Sequence, residues 1–142
     1  MRKLFILFFV FLATTPLWAY DFQSGDLYYN VISKSEPCTV EVTSKSTMSP
    51  YNKDVTCTTI VVPDSVVYND TTFAVTSIGD NAFSGCENLE SITIPESVNT
   101  IEKSAFSSCK NVKSITCIGE IPATLSQNAF EMVNIFIKIR KL

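Results

Sequence analysis

The repeat VTSIGDNAFSGCENLESITIPES (75–97) is followed without a gap by VNTIEKSAFSSCKNVKSITCIGE (98–120), so the same pattern recurs every 23 residues. The matched core-type pairs are Val75/Val98, Ile78/Ile101, Ala82/Ala105, Phe83/Phe106, Cys86/Cys109, Leu89/Val112, Ile92/Ile115 and Ile94/Cys117. A fixed period of this length indicates units that cannot bury their apolar side chains alone and therefore stack on their neighbours.

Partial copies of the repeat flank this pair on both sides. They are CTTIVVPDSV (57–66), which aligns with LESITIPESV (89–98) at an offset of 32, and LSQNAF (125–130), which aligns with IEKSAF (101–106) at an offset of 24. The offset of 32 exceeds the period by nine residues. We expect a β-hairpin inserted at 66–75, turning at Asn69-Asp70, to account for them.

Alternating apolar and polar residues predict one strand in each repeat. We expect parallel strands at about residues 57–62, 89–94 and 112–117, stacked in one sheet. Between them, DNAFSG (80–85) predicts a tight, short helical or 3-10 turn, because a capping residue precedes it and a glycine ends it. The phenylalanines of successive turns, Phe83, Phe106 and Phe130, should stack as one aromatic column.

The segment TSIGDNAFSGCENLESITIPESV (76–98) resembles the repeat of the BspA-like leucine-rich-repeat family, in which I…AF..C..L..I.IP..V..I recurs. The likeness covers residues 55–130, and YDFQSGDLYYNVIS (20–33) is similar to the leader that precedes such repeats. The resemblance implies a β-rich leucine-rich-repeat solenoid with a parallel sheet of stacked repeats and an N-terminal β-hairpin cap. It also implies a secreted or surface protein for adhesion or ligand binding rather than catalysis.

Four regions follow from these patterns. The sequence predicts a signal peptide at residues 1–19 and an N-terminal β cap at residues 20–54. It predicts the repeat solenoid at residues 55–130 and a short C-terminal strand and tail at residues 131–142. The cap should contain two paired strands, LYYNVIS (27–33) and TVEVTS (39–44), because both segments alternate apolar and polar residues.

In the tail, isoleucines at 135, 137 and 139 alternate with Phe136, Lys138 and Arg140. This pattern predicts one further strand. The basic residues Lys138, Arg140 and Lys141 either protect an open sheet edge or form a patch for an anionic partner.

Composition limits the functions that this chain can have. It is 46% apolar and 18% charged, which is typical of a folded domain, and it contains no histidine. Histidine is the side chain most used for acid–base catalysis and metal ligation near neutral pH. We therefore expect no enzyme activity, no cofactor and no metal site. The net charge of −3 also disfavours binding to nucleic acid or to an anionic membrane.

The five cysteines, an odd number, fall at 38, 57, 86, 109 and 117. Cys86 and Cys109 occupy one repeat position and read as small buried side chains; a disulfide between them is the alternative. Cys38 lies outside the repeat, so the sequence predicts it to be the exposed thiol.

The polar strand residues predict a binding surface on the sheet side that faces away from the core. Its candidate residues are Glu90, Ser91, Thr93, Lys113, Ser114 and Thr116, with Thr59 and Val61 on the preceding strand. Such a hydroxyl-rich face suits a protein or glycan partner. Alternatively, serine and threonine stand there only as solvent-facing strand formers, and the protein is a structural surface protein that self-associates end to end.

The N-terminus predicts secretion to an extracellular, cell-surface or periplasmic location. Arg2 and Lys3 precede the apolar run LFILFFVFLA (4–13), and the small residue Ala19 follows. A membrane anchor is the alternative, but the run is shorter than the ~20 residues that span a bilayer.

We expect the secreted protein to begin at Tyr20, because cleavage after Ala19 removes the charged and apolar regions together. Intact-mass spectrometry of secreted protein checks this. Recovery of an uncleaved Met1–Tyr20 segment in a membrane fraction would contradict it.

Overall fold

The computed structural model describes residues 19–47, 56–120 and 122–133, and these contain ten strands and no helix. The strands are β1 (Phe22–Ser24), β2 (Leu27–Ser33), β3 (Thr39–Thr43), β4 (Thr59–Val61), β5 (Ser65–Tyr68), β6 (Thr71–Ile78), β7 (Ser91–Ile94), β8 (Thr100–Ile101), β9 (Ser114–Cys117) and β10 (Thr124–Leu125). They form one sheet of three strands and one of seven.

The three-stranded sheet contains one strand from each repeat, in the order β4-β7-β9, and both pairings are parallel. Ile60 pairs with Ile92, and Ile92 with Ile115. All three isoleucines are buried, because alternation along each strand directs them to the core. The three predicted strands are therefore confirmed, although each is shorter than its apolar pattern.

The seven-stranded sheet has the order β1-β2-β3-β6-β8-β10, and β5 pairs with β6. Its strands β6, β8 and β10 come from successive repeats and pair in parallel at Ile78–Ile101 and Ile101–Leu125. Each repeat thus contributes to both sheets. The strands that the repeats add to the seven-stranded sheet include β8 and β10, which have only two residues each. Strands this short show no alternation of apolar and polar residues in the sequence.

The predicted hairpin is confirmed. Strands β5 and β6 are antiparallel, and Tyr68 pairs with Thr71 across the turn. Asn69 and Asp70 have φ of 48° and 57°. Two consecutive positive φ values are the geometry of a type I′ turn, which favours asparagine and aspartate and matches the twist of the strands.

The two N-terminal strands also form as predicted, and β2 pairs with β3 antiparallel. The prediction of a distinct hairpin cap is not supported, because β3 pairs in parallel with β6 at Val40–Val75 and Val42–Ile78. Val40 and Val42 have no exposed surface. The N-terminal strands therefore extend the sheet and core of the repeats. Residues 48–54 of the expected cap lie outside the described residues.

The turns are not helical, which corrects the expectation of short helical or 3-10 turns. The N–H of Phe83 donates to the Ala105 carbonyl at 2.8 Å, and that of Gly85 to the Ser107 carbonyl at 2.9 Å. In an α-helix, every interior N–H donates a hydrogen bond to the carbonyl four residues earlier. Here alternate N–H groups bond to the neighbouring coil instead, so the turns stack.

The stacked turns also share backbone torsions that helices do not use. Asn81 and Ser104, one repeat apart, have φ of 57° and 55°, and Gly85 and Ser108 have φ of 75° and 62°. The left-handed conformation costs a serine roughly 1–2 kcal/mol. The second coil accepts this conformation because the Ser108 N–H then donates to the carbonyl of the next coil at 3.2 Å.

The aromatic column is confirmed. The Phe83 and Phe106 rings stack at 5.3 Å between centroids with 12° between planes, and the Phe106 and Phe130 rings at 5.2 Å with 4°. Phe106, at the centre, is fully buried, whereas Phe130 is half-buried. The column therefore provides side-chain packing between three successive coils.

All five cysteines are free thiols, so the buried-thiol interpretation of Cys86 and Cys109 holds. The Cys109 thiol donates to the Phe83 carbonyl at 3.0 Å. Burial raises the pKa of Cys86 to about 12 and that of Cys109 to about 11. The expectation of an exposed Cys38 is wrong, because Cys38 is only 6% exposed and packs in the core at the start of β3.

Phe106→Ala should lower the free energy of unfolding by roughly 3–5 kcal/mol, because it opens a cavity between two stacked rings. Phe130→Ala is the matched control and should cost less, since that ring is half-buried. Urea denaturation measures both. A loss below ~1 kcal/mol for Phe106→Ala would contradict the column.

The buried thiols predict a loss of stability at alkaline pH. Unfolding returns Cys86 and Cys109 toward the ordinary thiol pKa of 9.0, so the unfolded chain releases protons at lower pH than the folded chain. The two thiols make their full contribution to the free energy of unfolding below about pH 8. That contribution falls as the pH rises from about 9 toward 11–12, by at most about 1.4 kcal/mol per pH unit for each thiol.

Urea titrations at pH 8 and pH 10.5 measure this loss. The double variant Cys86→Ala/Cys109→Ala serves as the control and should lose less stability between the two pH values. An equal loss in both proteins would show that these thiols do not carry the effect.

Candidate functional site

The three-stranded sheet turns one row of side chains from every strand away from the core. We call this surface the outer face. The register aligns its residues in two rows that cross the sheet, Thr59–Ser91–Ser114 and Val61–Thr93–Thr116. Because neighbouring strands lie about 4.8 Å apart, each row places three side chains within reach of one ligand.

The hydroxyl side chains of the outer face lie where the alternation predicted them. Thr59 is exposed, and Ser91, Thr93, Ser114 and Thr116 are half-buried. The row that contains Val61, which is 64% exposed, is apolar at one end and hydroxylic along the rest. The outer face therefore offers both hydrogen-bonding groups and an aliphatic contact.

The hydroxyls differ in whether they already form hydrogen bonds within the protein. Ser91 Oγ donates to Thr59 Oγ1 at 3.1 Å, which links the first two strands. Among the described residues, the hydroxyls of Thr93, Ser114 and Thr116 have no such partner. Each can both donate and accept a hydrogen bond, so these three hydroxyls are available to a ligand.

Glu90 and Lys113 form an ion pair at one margin of the outer face. Lys113 Nζ lies 2.8 Å from Glu90 Oε2, and both side chains are largely exposed. The backbone supports this pairing, because the Lys113 N–H donates to the Glu90 carbonyl at 2.7 Å. The pair joins one repeat position in neighbouring coils, since the two residues lie 23 positions apart in the sequence. Its exposure limits its stabilisation to about 0–1 kcal/mol.

A cleft of about 410 Å³ lies beside β4, and sequence reasoning missed it. Its floor is apolar and buried, and contains Leu27, Tyr29, Ile60 and Val66. One wall is the turn at 24–26 between β1 and β2. No local signal could have revealed the cleft, because residues separated by more than thirty positions line it together.

The side chains of these surfaces carry hydroxyl, charged and aliphatic groups. The chain has no histidine, and the described residues contain no group of three or more cysteine, aspartate or glutamate side chains that could hold a metal ion. The raised pKa of the Cys86 and Cys109 thiols keeps them protonated and poor as nucleophiles. In the part of the chain that the structure describes, no helix is long and apolar enough to cross a membrane.

Three bacterial proteins of known structure share this fold. A leucine-rich repeat protein from Bacteroides ovatus is 24% identical with a TM-score of 0.57, and the match covers 84% of this chain and 37% of that protein. A leucine-rich cell surface protein from Faecalibacterium prausnitzii is 18% identical with a TM-score of 0.56, and the match covers 84% and 32%. This chain therefore spans about a third of their length.

A third structure is of similar size. The leucine-rich repeat protein from Bacteroides capillosus is 22% identical with a TM-score of 0.57, and the match covers 82% of this chain and 97% of that protein. At these identities the likeness concerns the fold. No curated protein matches the chain.

The repeat itself identifies the family. Six copies of the BspA type leucine rich repeat match residues 53–140, which is more than half of the chain. The match includes the repeats whose strands build the outer face, and it agrees with the stacked parallel strands of both sheets. The chain belongs to the BspA-type leucine-rich-repeat family.

Proposed function

We propose that this protein is a secreted or cell-surface binding module that recognises a protein or glycan partner through its outer face. The observation that carries this proposal is the alignment of three hydroxyls on adjacent strands, those of Thr93, Ser114 and Thr116, none of which has a hydrogen-bond partner among the described residues. They are spaced by the backbone ladder and are not needed to fill the core.

The surface chemistry favours recognition by many weak contacts. Hydroxyls can donate to and accept from sugar hydroxyls or peptide groups, and Val61 offers an aliphatic contact beside them. The Glu90–Lys113 pair closes one margin with opposite charges that nearly cancel. Such a face selects a partner by hydrogen-bond geometry rather than by net charge.

The rest of the chain supports a module that acts outside the cell. The signal-peptide pattern predicts export, and a related fold occurs in a cell surface protein of Faecalibacterium prausnitzii. We further propose that the repeats of residues 55–130 form a short solenoid, whose larger sheet is extended by strands β1, β2 and β3. Adhesion to a host or neighbouring cell is the role that such a module fits.

A structural protein that assembles with copies of itself is the second candidate. The open edge of β4 favours it, because β4 pairs only with β7 among the described strands. Repeat folds expose core and backbone groups at an end that nothing covers.

Large side chains on the outer face should block the partner. A panel of glycans and matrix proteins, screened with the secreted chain, first supplies a ligand. We then expect Thr93→Trp/Thr116→Trp to weaken binding at least tenfold while the melting temperature stays within a few degrees, because both side chains point out of the core. Biolayer interferometry and thermal denaturation measure the two effects.

Two controls test the location of the site. Thr124→Trp places the same bulk on β10, an exposed position of the other sheet, and should leave binding unchanged. Reversing both charges with Glu90→Lys/Lys113→Glu should leave the fold intact, because the exposed pair contributes little. If Thr93→Trp/Thr116→Trp binds normally, or Thr124→Trp abolishes binding, the outer face is not the site.

A further inference from the structure

We propose that the open edge of β4 is an assembly site, which pairs with the C-terminal segment 135–141 of a second copy. The copies would join head to tail in a parallel sheet that continues from one molecule to the next. This inference deepens the second proposed function, self-assembly, and is independent of ligand binding at the outer face.

The register leaves main-chain hydrogen-bonding groups unused on β4. The Val62 N–H donates to the Thr93 carbonyl at 3.0 Å, and the Ser91 N–H to the Thr58 carbonyl at 3.1 Å. In a parallel ladder, alternate residues bond to the same neighbour, so Ile60 faces β7. The N–H and carbonyl groups of Thr59 and Val61 therefore point to the opposite side, where no described strand pairs with them.

The cleft beside β4 gives an added strand room for its side chains. Its volume of about 410 Å³ lies against the same edge and includes Thr59, Ile60 and Val61 in its lining. The floor is apolar, with Ile60 at 5% and Val66 at 7% exposure. An extended segment that paired with Thr59 and Val61 could place aliphatic side chains over this floor, as strands do when they add to a sheet edge.

The segment IFIKIRK (135–141) has the sequence of such a strand. Ile135, Ile137 and Ile139 alternate with larger or charged residues, and Ile139 follows the buried Ile115 of β9 by 24 residues. The segment therefore carries the strand pattern of the three-stranded sheet at the next repeat position. A strand has two edges, so pairing with its own molecule leaves one edge for a second copy.

Charge favours contact between this segment and the remainder of another molecule. The segment carries Lys138, Arg140 and Lys141, whereas residues 20–133 contain 14 acidic and only six basic side chains. Asp26, which is exposed, lies in the wall of the cleft. A basic segment is attracted to Asp26 and to the net negative charge of the other molecule, and salt should weaken that attraction.

The two surfaces are different, so the contact is heterologous. Each molecule offers its β4 edge to one neighbour and its C-terminal segment to another. Heterologous contacts that do not close into a ring generate open chains. The mean mass should therefore rise continuously with concentration instead of stopping at a dimer.

Complementation between two blocked variants of residues 20–142 tests the proposal. Val61→Pro removes an N–H that points away from β7, and proline is tolerated at such an edge position. Ile139→Pro removes a main-chain N–H from the C-terminal segment and so blocks its pairing as a strand. We expect light scattering to show growing assemblies for the unmodified chain, a monomer for each variant alone, and a one-to-one dimer for their equimolar mixture, because the mixture retains one intact contact.

Matched controls separate blocked pairing from misfolding. Val61→Thr keeps the N–H and introduces the residue that Thr93 and Thr116 already place in that row, so it should assemble normally. Lys138→Glu/Arg140→Glu avoids proline and should weaken assembly at least tenfold in low salt. Circular dichroism should show the same fold in all variants.

Three results would overturn the proposal: an unmodified chain that stays monomeric at every concentration, a Val61→Pro variant that assembles like the unmodified chain, or a mixture that forms no dimer. Thr93→Trp/Thr116→Trp should still assemble. Failure of this proposal would therefore leave ligand binding by the outer face intact, and the reverse also holds.

Discussion

The hydrogen bonds between successive coils are the constraint on which the rest of the structure depends. A single repeat has no partner for its strand or for the N–H groups of its turn, so it can fold only against a neighbour. The bonds from Phe83 to the Ala105 carbonyl and from Phe106 to the Ala129 carbonyl show the same link at two levels. Stability therefore accumulates through interfaces between neighbours.

This constraint explains why the turns keep unusual torsions. Ser104 and Ser108 have left-handed backbone torsions, which are unfavourable for residues other than glycine. Two interactions offset the free-energy cost of these torsions. Alternate N–H groups of the turn donate to the next coil, and the Phe106 ring stacks between two other rings. Backbone pairing and aromatic packing require the same spacing between coils.

The same stacking separates the core from the proposed binding surface. Inward residues such as Ile92 and Ile115 are almost completely buried, whereas their neighbours Thr93 and Thr116 line up outside. A change to the outer side chains can therefore leave the packing of the core intact. Stacking also leaves an edge wherever the repeats end, so the ladder that builds the sheet creates a surface to which another strand can add.

Sequence alone determined the features that depend on local periodicity. The 23-residue interval identified the stacked strands and the aromatic column, because both follow from which residues share a repeat position. The nine residues in excess of that interval identified the hairpin that turns at Asn69-Asp70. The residues of the outer face were identified in the same way, and binding of a partner by them stays a proposal.

Only the tertiary structure decided which distant segments meet. It paired β3 with β6, buried Cys38, joined the N-terminal strands to the sheet of the repeats and formed the cleft beside β4. It also replaced the expected helical turns with turns bonded to the next coil. These contacts could not be read from the chain, because their free energy comes from burial and hydrogen bonds between residues that no local pattern connects.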